Sequence, residues 1–296
     1  VTLLTAALAS LRPRQWVKNL FVFAGVVFSE NLFTPLFWPA LGAFAIFCGL
    51  SGAIYVINDV ADMRKDRLHP VKRHRPVASG ALPRGLALGL GAGLLAACLG
   101  AAFALARSFG YTALAYAGLL TAYSAWLKHV VIVDVLTVAV GFVLRAVAGA
   151  AAVGVDISGW LVICTILIAL FLALGKRRHE SRTLRGDAAA HRPILAEYSE
   201  GFLDQMIAVV TASTVTAYAL YTMSPETVAK FHTRLLPLTL PFVLYGIFRY
   251  LYLLYHRELG GNPSDLLLGD RALLVNTLLW MASLVVIIYA LPRWMG

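Results

Sequence analysis

In the stretch IYVINDVADMRKDRLHPVKRHRPVASGAL, residues 54–82, three oxygen-bearing side chains recur at four-residue spacing: Asn58, Asp62 and Asp66. If the helix that carries Ile54 to Ile57 continues, the three share one face, and Asp59 points about 100° away from Asn58. At about 1.5 Å of rise per residue, neighbours on that face stand about 6 Å apart. Asn58 and Asp62 can therefore share one cation with a substrate oxygen between them. Asp66, about 12 Å from Asn58, can serve a second ion or hold a basic side chain. Carboxylate and amide oxygens, with no Cys or His on that face, suit a hard ion. Mg²⁺ usually takes one or two protein carboxylates and completes its shell with water and phosphate oxygens. Lys72, Arg73 and Arg75 follow in HPVKRHRP, and such cations grip phosphates. Together the two patterns describe a clamp for a diphosphate; the basic run alone would read as a solvated loop beside a membrane.

A second cluster, LALGKRRHE, sets Lys176, Arg177, Arg178 and Glu180 at the end of another apolar run. It either anchors a helix end or faces the first cluster across one cavity. Arg145, in AVGFVLRAVAGA, falls in the middle of an apolar run. A charge there is costly and usually faces a polar cavity or a partner, so Arg145 is expected at a cavity. Asp134 opens the same helix and lies about 16 Å away along it, too far to pair with Arg145. Tyr123 and Lys128, in YSAWLK, and Arg14 and Lys18, in RPRQWVKN, lie near ends of apolar runs, where they too can reach a phosphate. His69, His74, His129 and His179 are scattered and form no ligand set. No nucleotide-binding glycine motif and no nucleophile elbow is present.

The elements that position these residues follow from composition. The chain has 296 residues, 60% hydrophobic and 14% charged, with a mean hydropathy of +0.77. Soluble domains carry roughly 25% charged residues, so this chain reads as an integral membrane protein. Nine apolar stretches recur, near 16–30, 36–59, 85–107, 110–128, 130–153, 158–177, 205–223, 235–256 and 272–291. The fourth and fifth are separated only by LKHVV. Lipid cannot satisfy free backbone groups, so runs of this length must be helices. The expectation is an all-α, polytopic membrane protein with nine transmembrane helices.

Charge orients the bundle. Nineteen Lys and Arg fall in loops on one side, among them Arg12, Arg14, Lys18, the run from Arg64 to Arg84, and Lys176 to Arg192; the opposite loops hold Arg107, Lys230, Arg234 and Arg293. The positive-inside rule puts the nineteen and the N-terminus in the cytoplasm and the C-terminus outside. The protein is thus expected in the plasma (inner) membrane, with its charged clusters facing the cytoplasm. The net charge of +10 sits in short loops without an aromatic-interleaved soluble face. Anionic lipid head groups and small anionic substrates fit it, and nucleic acid does not. Cys48, Cys98 and Cys164 fall inside apolar runs and read as packing residues. No cleavable signal peptide is read; the chain starts at Val1, which leaves the natural N-terminus open.

No linker or low-complexity tract divides the chain, so residues 1–296 read as one transmembrane domain, with loops 60–84 and 177–204 capping the site. Small residues four apart, such as Gly89 and Gly93, are expected where helix backbones approach closely. In HRPILAEYSEGFLDQM, the spacing of Ile194, Leu195, Tyr198, Phe202, Leu203 and Met206 predicts an amphipathic helix over the cytoplasmic mouth or, failing that, a solvated loop.

The motif Asn58-Asp59-x-x-Asp62-x-x-x-Asp66, followed by Arg75-Pro76 and ASG, resembles the first aspartate-rich motif of the UbiA superfamily of intramembrane prenyltransferases, and Tyr123 and Lys128 match a further pattern there. The resemblance covers essentially the whole chain. It implies nine helices around a central cavity open to the cytoplasm and laterally to lipid. LRPRQWVKNLFVFA, DRLHPVKRHRP, GFVLRAVAGA and LGKRRHE are similar, more narrowly, to the phosphoribosyl-transferring branch. That branch joins the ribose 5-phosphate unit of phosphoribosyl diphosphate to a polyprenyl (decaprenyl) phosphate for cell-wall arabinan synthesis. Ordinary members carry a second Asp-rich run after the sixth span. Here that place reads KRRHESRTLRGD, mostly basic, with Glu180 and Asp187 as acids.

The expected reaction is therefore Mg²⁺-dependent phosphoribosyl transfer with release of diphosphate. Asn58, Asp62 and Asp66 are the metal candidates, and Asp62, Asp66, Lys72 and Arg75 the catalytic set. Arg14, Lys18, Asp59, Arg73, Tyr123, Lys128, Arg145, Lys176, Arg177, Arg178 and Glu180 are the substrate-binding candidates. A Mg²⁺-dependent aromatic prenyltransferase of the same superfamily is the first rival, and it would show a second carboxylate cluster. A transporter is the second, and its polar residues would gather at mid-depth. A homo-oligomer is left open.

Overall fold

The computed structural model describes residues 2–68, 70–183 and 193–291. All regular structure among the described residues is helical. Among the described residues, seven helices are long and apolar enough to cross a membrane: Phe37–Ala61, Arg84–Leu105, Val133–Val153, Gly159–Thr183, Glu200–Met223, Leu236–His256 and Arg271–Ala290. The fourth expected run forms the helix Arg107–Ala125. Trp126 and the short turn Leu127–His129 do separate it from the fifth.

The first expected run differs. It is a 3₁₀ helix over Pro13–Phe23 that passes into a short α-helix, Ala24–Phe28. Runs of 3₁₀ longer than 3–4 residues are uncommon, so side chains must hold this one. Arg12 precedes it with φ 53°, a left-handed conformation that costs a non-glycine residue about 1–2 kcal/mol.

The chain packs as two compact units. The first comprises residues up to Val130 together with Gly141–Ile157, and the second Val131–Val140 together with residues from Ser158 onward. In the first unit, Phe47, Leu50, Phe109 and Tyr116 are buried together, with the Phe47 and Tyr116 rings 5.0 Å apart. The close helix approach there is made by Gly91, where a Cβ would meet the Ile57 side chain at 2.8 Å, and by Gly49 against Cys98. This corrects the expectation for Gly89 and Gly93, beside which a Cβ would meet nothing within 4 Å. Gly91 lies two residues from each, about 200° round the helix, on the opposite side from the face they share.

In the second unit, Phe171, Leu174, Leu203, Ile207, Tyr250 and Leu254 form the core. The expected amphipathic helix is broken in two. A 3₁₀ turn covers Pro193–Glu197, and Ser199 then caps a new helix by accepting from the Phe202 N–H. The break lets Ile194, Leu195, Tyr198 and Leu203 all turn inward. His69, Arg185, Asp187, His191, Arg192 and Arg293 lie outside the described residues.

Candidate functional site

In the first unit, the helix Phe37–Ala61 stops at Asp62 (φ −89°, ψ 3°), and a second helix, Met63–Leu68, starts at once. The four-residue ladder survives the break. Asp62 N donates to the Asn58 carbonyl at 2.8 Å and Asp66 N to the Asp62 carbonyl at 2.9 Å. Asn58, Asp62 and Asp66 thus keep the spacing that the sequence implied.

Their environments differ. Asp59 and Asp66 are buried, whereas the Asp62 side chain is 37% exposed and Asn58 is half-buried. One arginine serves both buried acids: Arg75 Nη1 stands 3.0 Å from Asp59 Oδ1 and 2.7 Å from Asp66 Oδ2. Arg12 Nη2 reaches the same Asp59 oxygen at 2.5 Å, and its guanidinium lies 4.8 Å over the Tyr55 ring. Asp66 is thus paired with a basic side chain, one of the two roles expected of it. Arg75, expected on phosphate, is the cation that neutralises this pair. The turn that brings it there is local. Pro76 opens a short helix, Pro76–Ser79, and Gly80 ends it at φ 85°. Arg67 Nε donates to the Ala78 carbonyl at 3.0 Å and closes the loop.

The exposed edge carries the remaining candidates. Lys128 Nζ lies 3.7 Å from Asp62 Oδ2. Arg14 and Arg73 are exposed, Arg73 donating to His74 Nε2 at 3.3 Å, and Lys72 is exposed on the same turn. Lys18 and Tyr123 are half-buried. Asp59 Oδ2 is buried with no hydrogen-bond partner among the described residues. No group of three or more His, Cys, Asp or Glu able to hold a metal is found among the described residues. The candidate donors are two partly exposed oxygen side chains, Asn58 and Asp62. Their chemistry fits a hard ion that keeps most of its shell for water and phosphate.

Arg145 is not among them. It is 5% exposed and donates to Asn19 Oδ1, the Gly141 carbonyl and the Tyr116 hydroxyl. Where a polar cavity was expected, these protein groups surround it.

The second unit has its own charged network. Arg177 is 3% exposed and lies between Asp134, with Nε 3.3 Å from Oδ2, and Glu180, which Nη1 also contacts. Tyr198 donates to the buried Asp134 Oδ1 at 2.7 Å and accepts from the Ile132 N–H at 2.7 Å. Burial, and secondly the bond to Asp134, push the Tyr198 hydroxyl pKa above its ordinary value. Arg178 Nε stands 2.5 Å from Asp204 Oδ1, which also accepts from Tyr255 at 2.8 Å, and the guanidinium stacks 3.9 Å over that ring. Lys176 lies 3.7 Å from Glu180. Arg177 and Arg178 are therefore acid-paired and buried, while Lys176 keeps 38% of its side chain exposed. The pairings of Arg12, Asp204, Tyr198 and Tyr255 are not legible in the sequence because their partners are remote in the chain. Asp134 was visible only as an acid opening an apolar helix.

The UbiA prenyltransferase family model matches residues 19–265. A decaprenyl-phosphate phosphoribosyltransferase of Corynebacterium glutamicum is 32% identical to this chain, over 96% of it and 86% of the relative. One of Mycolicibacterium smegmatis is 29% identical over 97% and 93%. Among solved structures, a UbiA homolog from Archaeoglobus fulgidus bound to GPP and Mg²⁺ superposes with a TM-score of 0.72 at 20% identity, covering 96% of this chain and 99% of that one.

Proposed function

The chain belongs to the UbiA prenyltransferase family, and we propose that within it the protein is a polyprenyl-phosphate phosphoribosyltransferase. It transfers the 5-phosphoribosyl group of phosphoribosyl diphosphate to decaprenyl phosphate and releases diphosphate. The observation that carries this reading is the near-full-length similarity to two enzymes named for that reaction. The product would serve cell-wall arabinan synthesis.

The charges of the first unit support a donor site there. Arg12 and Arg75 cancel the buried Asp59 and Asp66, so the acidic helix end does not repel a diphosphate as three unpaired carboxylates would. Asn58 and Asp62 remain to hold Mg²⁺, which would supply charge stabilisation to the departing diphosphate when bound. Lys72, Arg73 and Arg14 on the exposed rim, with Lys128 beside Asp62, bind and orient the phosphates. The acceptor phosphate oxygen forms the new bond to ribose C1 as the bond from C1 to the diphosphate oxygen breaks. A phosphate monoester has a second pKa near 6, so the attacking oxygen needs no protein base at neutral pH.

The protein is a multi-pass membrane protein, and the proposal keeps nine crossings. The segment 13–28 supplies the first. Eleven 3₁₀ residues at about 2.0 Å and five α residues at about 1.5 Å reach about 30 Å, the thickness of the hydrocarbon core. The helix Arg107–Ala125 supplies the fourth. With the positive-inside rule, the donor site faces the cytoplasm.

One assay tests the reading. Purified protein in lipid receives Mg²⁺, labelled phosphoribosyl diphosphate and decaprenyl phosphate. Label in the lipid with diphosphate released is the expected result. No labelled lipid, together with alkylation of an aromatic acid by a prenyl diphosphate, overturns it.

A further inference from the structure

We propose that Arg145 is a positioning residue: through Asn19 it sets where the basic segment bearing Arg12, Arg14 and Lys18 stands against the acidic helix. Its kinetic readout rests on the phosphoribosyl-transfer reading; its structural readout does not.

Arg145 is a cation buried in the middle of a membrane-spanning helix, and no ion pair of Arg145 is found among the described residues. Neutral groups hold it instead. Nε donates to Asn19 Oδ1 at 2.9 Å, Nη1 to the Gly141 carbonyl at 2.9 Å and Nη2 to the Tyr116 hydroxyl at 2.6 Å. The guanidinium also sits 4.8 Å from the Tyr116 ring centre and 5.0 Å from that of Phe142, within range of cation–π attraction. Gly141 is on its own helix, and Tyr116 is on an α-helix with a full backbone ladder. Asn19 is the exception, because it belongs to the long 3₁₀ run that side chains must stabilise.

Asn19 is 1% exposed and clamps that run to the helix Phe37–Ala61. Its Nδ2 donates to Ser51 Oγ at 3.2 Å and lies 3.4 Å from Cys48 Sγ. Arg12 clamps the other end to Asp59. The two clamps stand at similar separations on the two segments: residue 12 to residue 19 is seven steps, about 10–14 Å at about 1.5–2.0 Å per step, and Ser51 to Asp59 is eight steps of about 1.5 Å, about 12 Å. Arg14 and Lys18 lie between the clamps. One turn beyond Arg145, Gly149 packs directly on Val22, so that any Cβ there would overlap the Val22 carbonyl. Helix Val133–Val153 therefore presses the run into place at two points, of which the Arg145 bond fixes the rotation.

The test uses Asn19→Ala and Arg145→Lys, the second of which keeps the charge but not the planar fork. Each is assayed in lipid and normalised to folded protein. The expected result is a KM for phosphoribosyl diphosphate raised roughly tenfold with kcat changed less, as a misplaced binding group produces. The register of the run is read separately by oxidative trapping of Leu11→Cys with Gly52→Cys, mapped by mass spectrometry. A Cβ at Gly52 would lie 3.3 Å from Leu11 Cβ, close to the disulfide range of about 3.5–4.5 Å. Adding Asn19→Ala should cut the trapped fraction severalfold. An unchanged trapped fraction, or a KM at the wild-type value in both single variants, overturns the proposal. If the unsubstituted protein transfers no phosphoribosyl group, that reading falls, and the trapping experiment alone decides for or against the clamp.

Discussion

Lys128 and Asp62 meet across the exposed edge of the acidic helix, Nζ 3.7 Å from Oδ2, on side chains 22% and 37% exposed. Such an open pair is worth little to stability, about 0–1 kcal/mol. On the proposed metal role of Asp62 its consequence lies in competition, because the ammonium stands against one oxygen of that carboxylate. In Lys128→Met, titration of activity with Mg²⁺ should show half-saturation at a severalfold lower concentration, while the KM for the donor rises. A higher Mg²⁺ requirement would contradict the assignment.

Asp62→Asn keeps the shape and the Asn58 backbone ladder but removes the exposed carboxylate. Turnover should fall by about 10²–10³-fold, the scale seen when a charge-stabilising group is lost. The melting temperature in lipid should hardly move, as for most surface substitutions. Activity near wild type would remove the metal role of this residue.

Arg75 and Arg73 are two residues apart and should behave differently. Arg75→Ala leaves buried Asp66 without its cation, a change that costs about 3–5 kcal/mol when a buried pair is broken. Asp66→Asn added to Arg75→Ala should recover much of that loss, which a double-mutant cycle measures. Arg73→Ala, on an exposed side chain, should leave the melt unchanged and raise the donor KM.

Tyr198→Phe removes the donor to Asp134 and the acceptor for Ile132 N–H, and should destabilise by about 1–3 kcal/mol. Its pH dependence has a definite sign. The folded hydroxyl titrates above its ordinary value because it is buried, so its contribution is complete below the unfolded value of about 10 and is lost as pH rises beyond it. Melts of the wild type should therefore fall faster than those of Tyr198→Phe above about pH 10.

The apolar runs were legible because lipid allows one solution to each: eight of the nine are α-helices within about six residues of the expected limits. The ladder of Asn58, Asp62 and Asp66 was legible because i, i+4 spacing is local, and it survived a helix break that the sequence did not announce. What stayed hidden was pairing at a distance. Arg75 is paired with Asp59 and Asp66, and Arg177 and Arg178 with Asp134 and Asp204, partners that no local spacing marks. The 3₁₀ run over Pro13–Phe23 was hidden for a related reason. Its form depends on Asp59, Ser51 and Arg145, which lie on other helices.

The order of these partners along the chain has a bearing on biogenesis. When the ribosome delivers helix Val133–Val153 to the translocon, the groups that receive Arg145 – Asn19, Tyr116 and Gly141 – have already been synthesised. Asp134, at the other end of that helix, is made before both Arg177 and Tyr198. A stall in translation after this helix would therefore leave Arg145 with its partners and Asp134 without Arg177 and Tyr198.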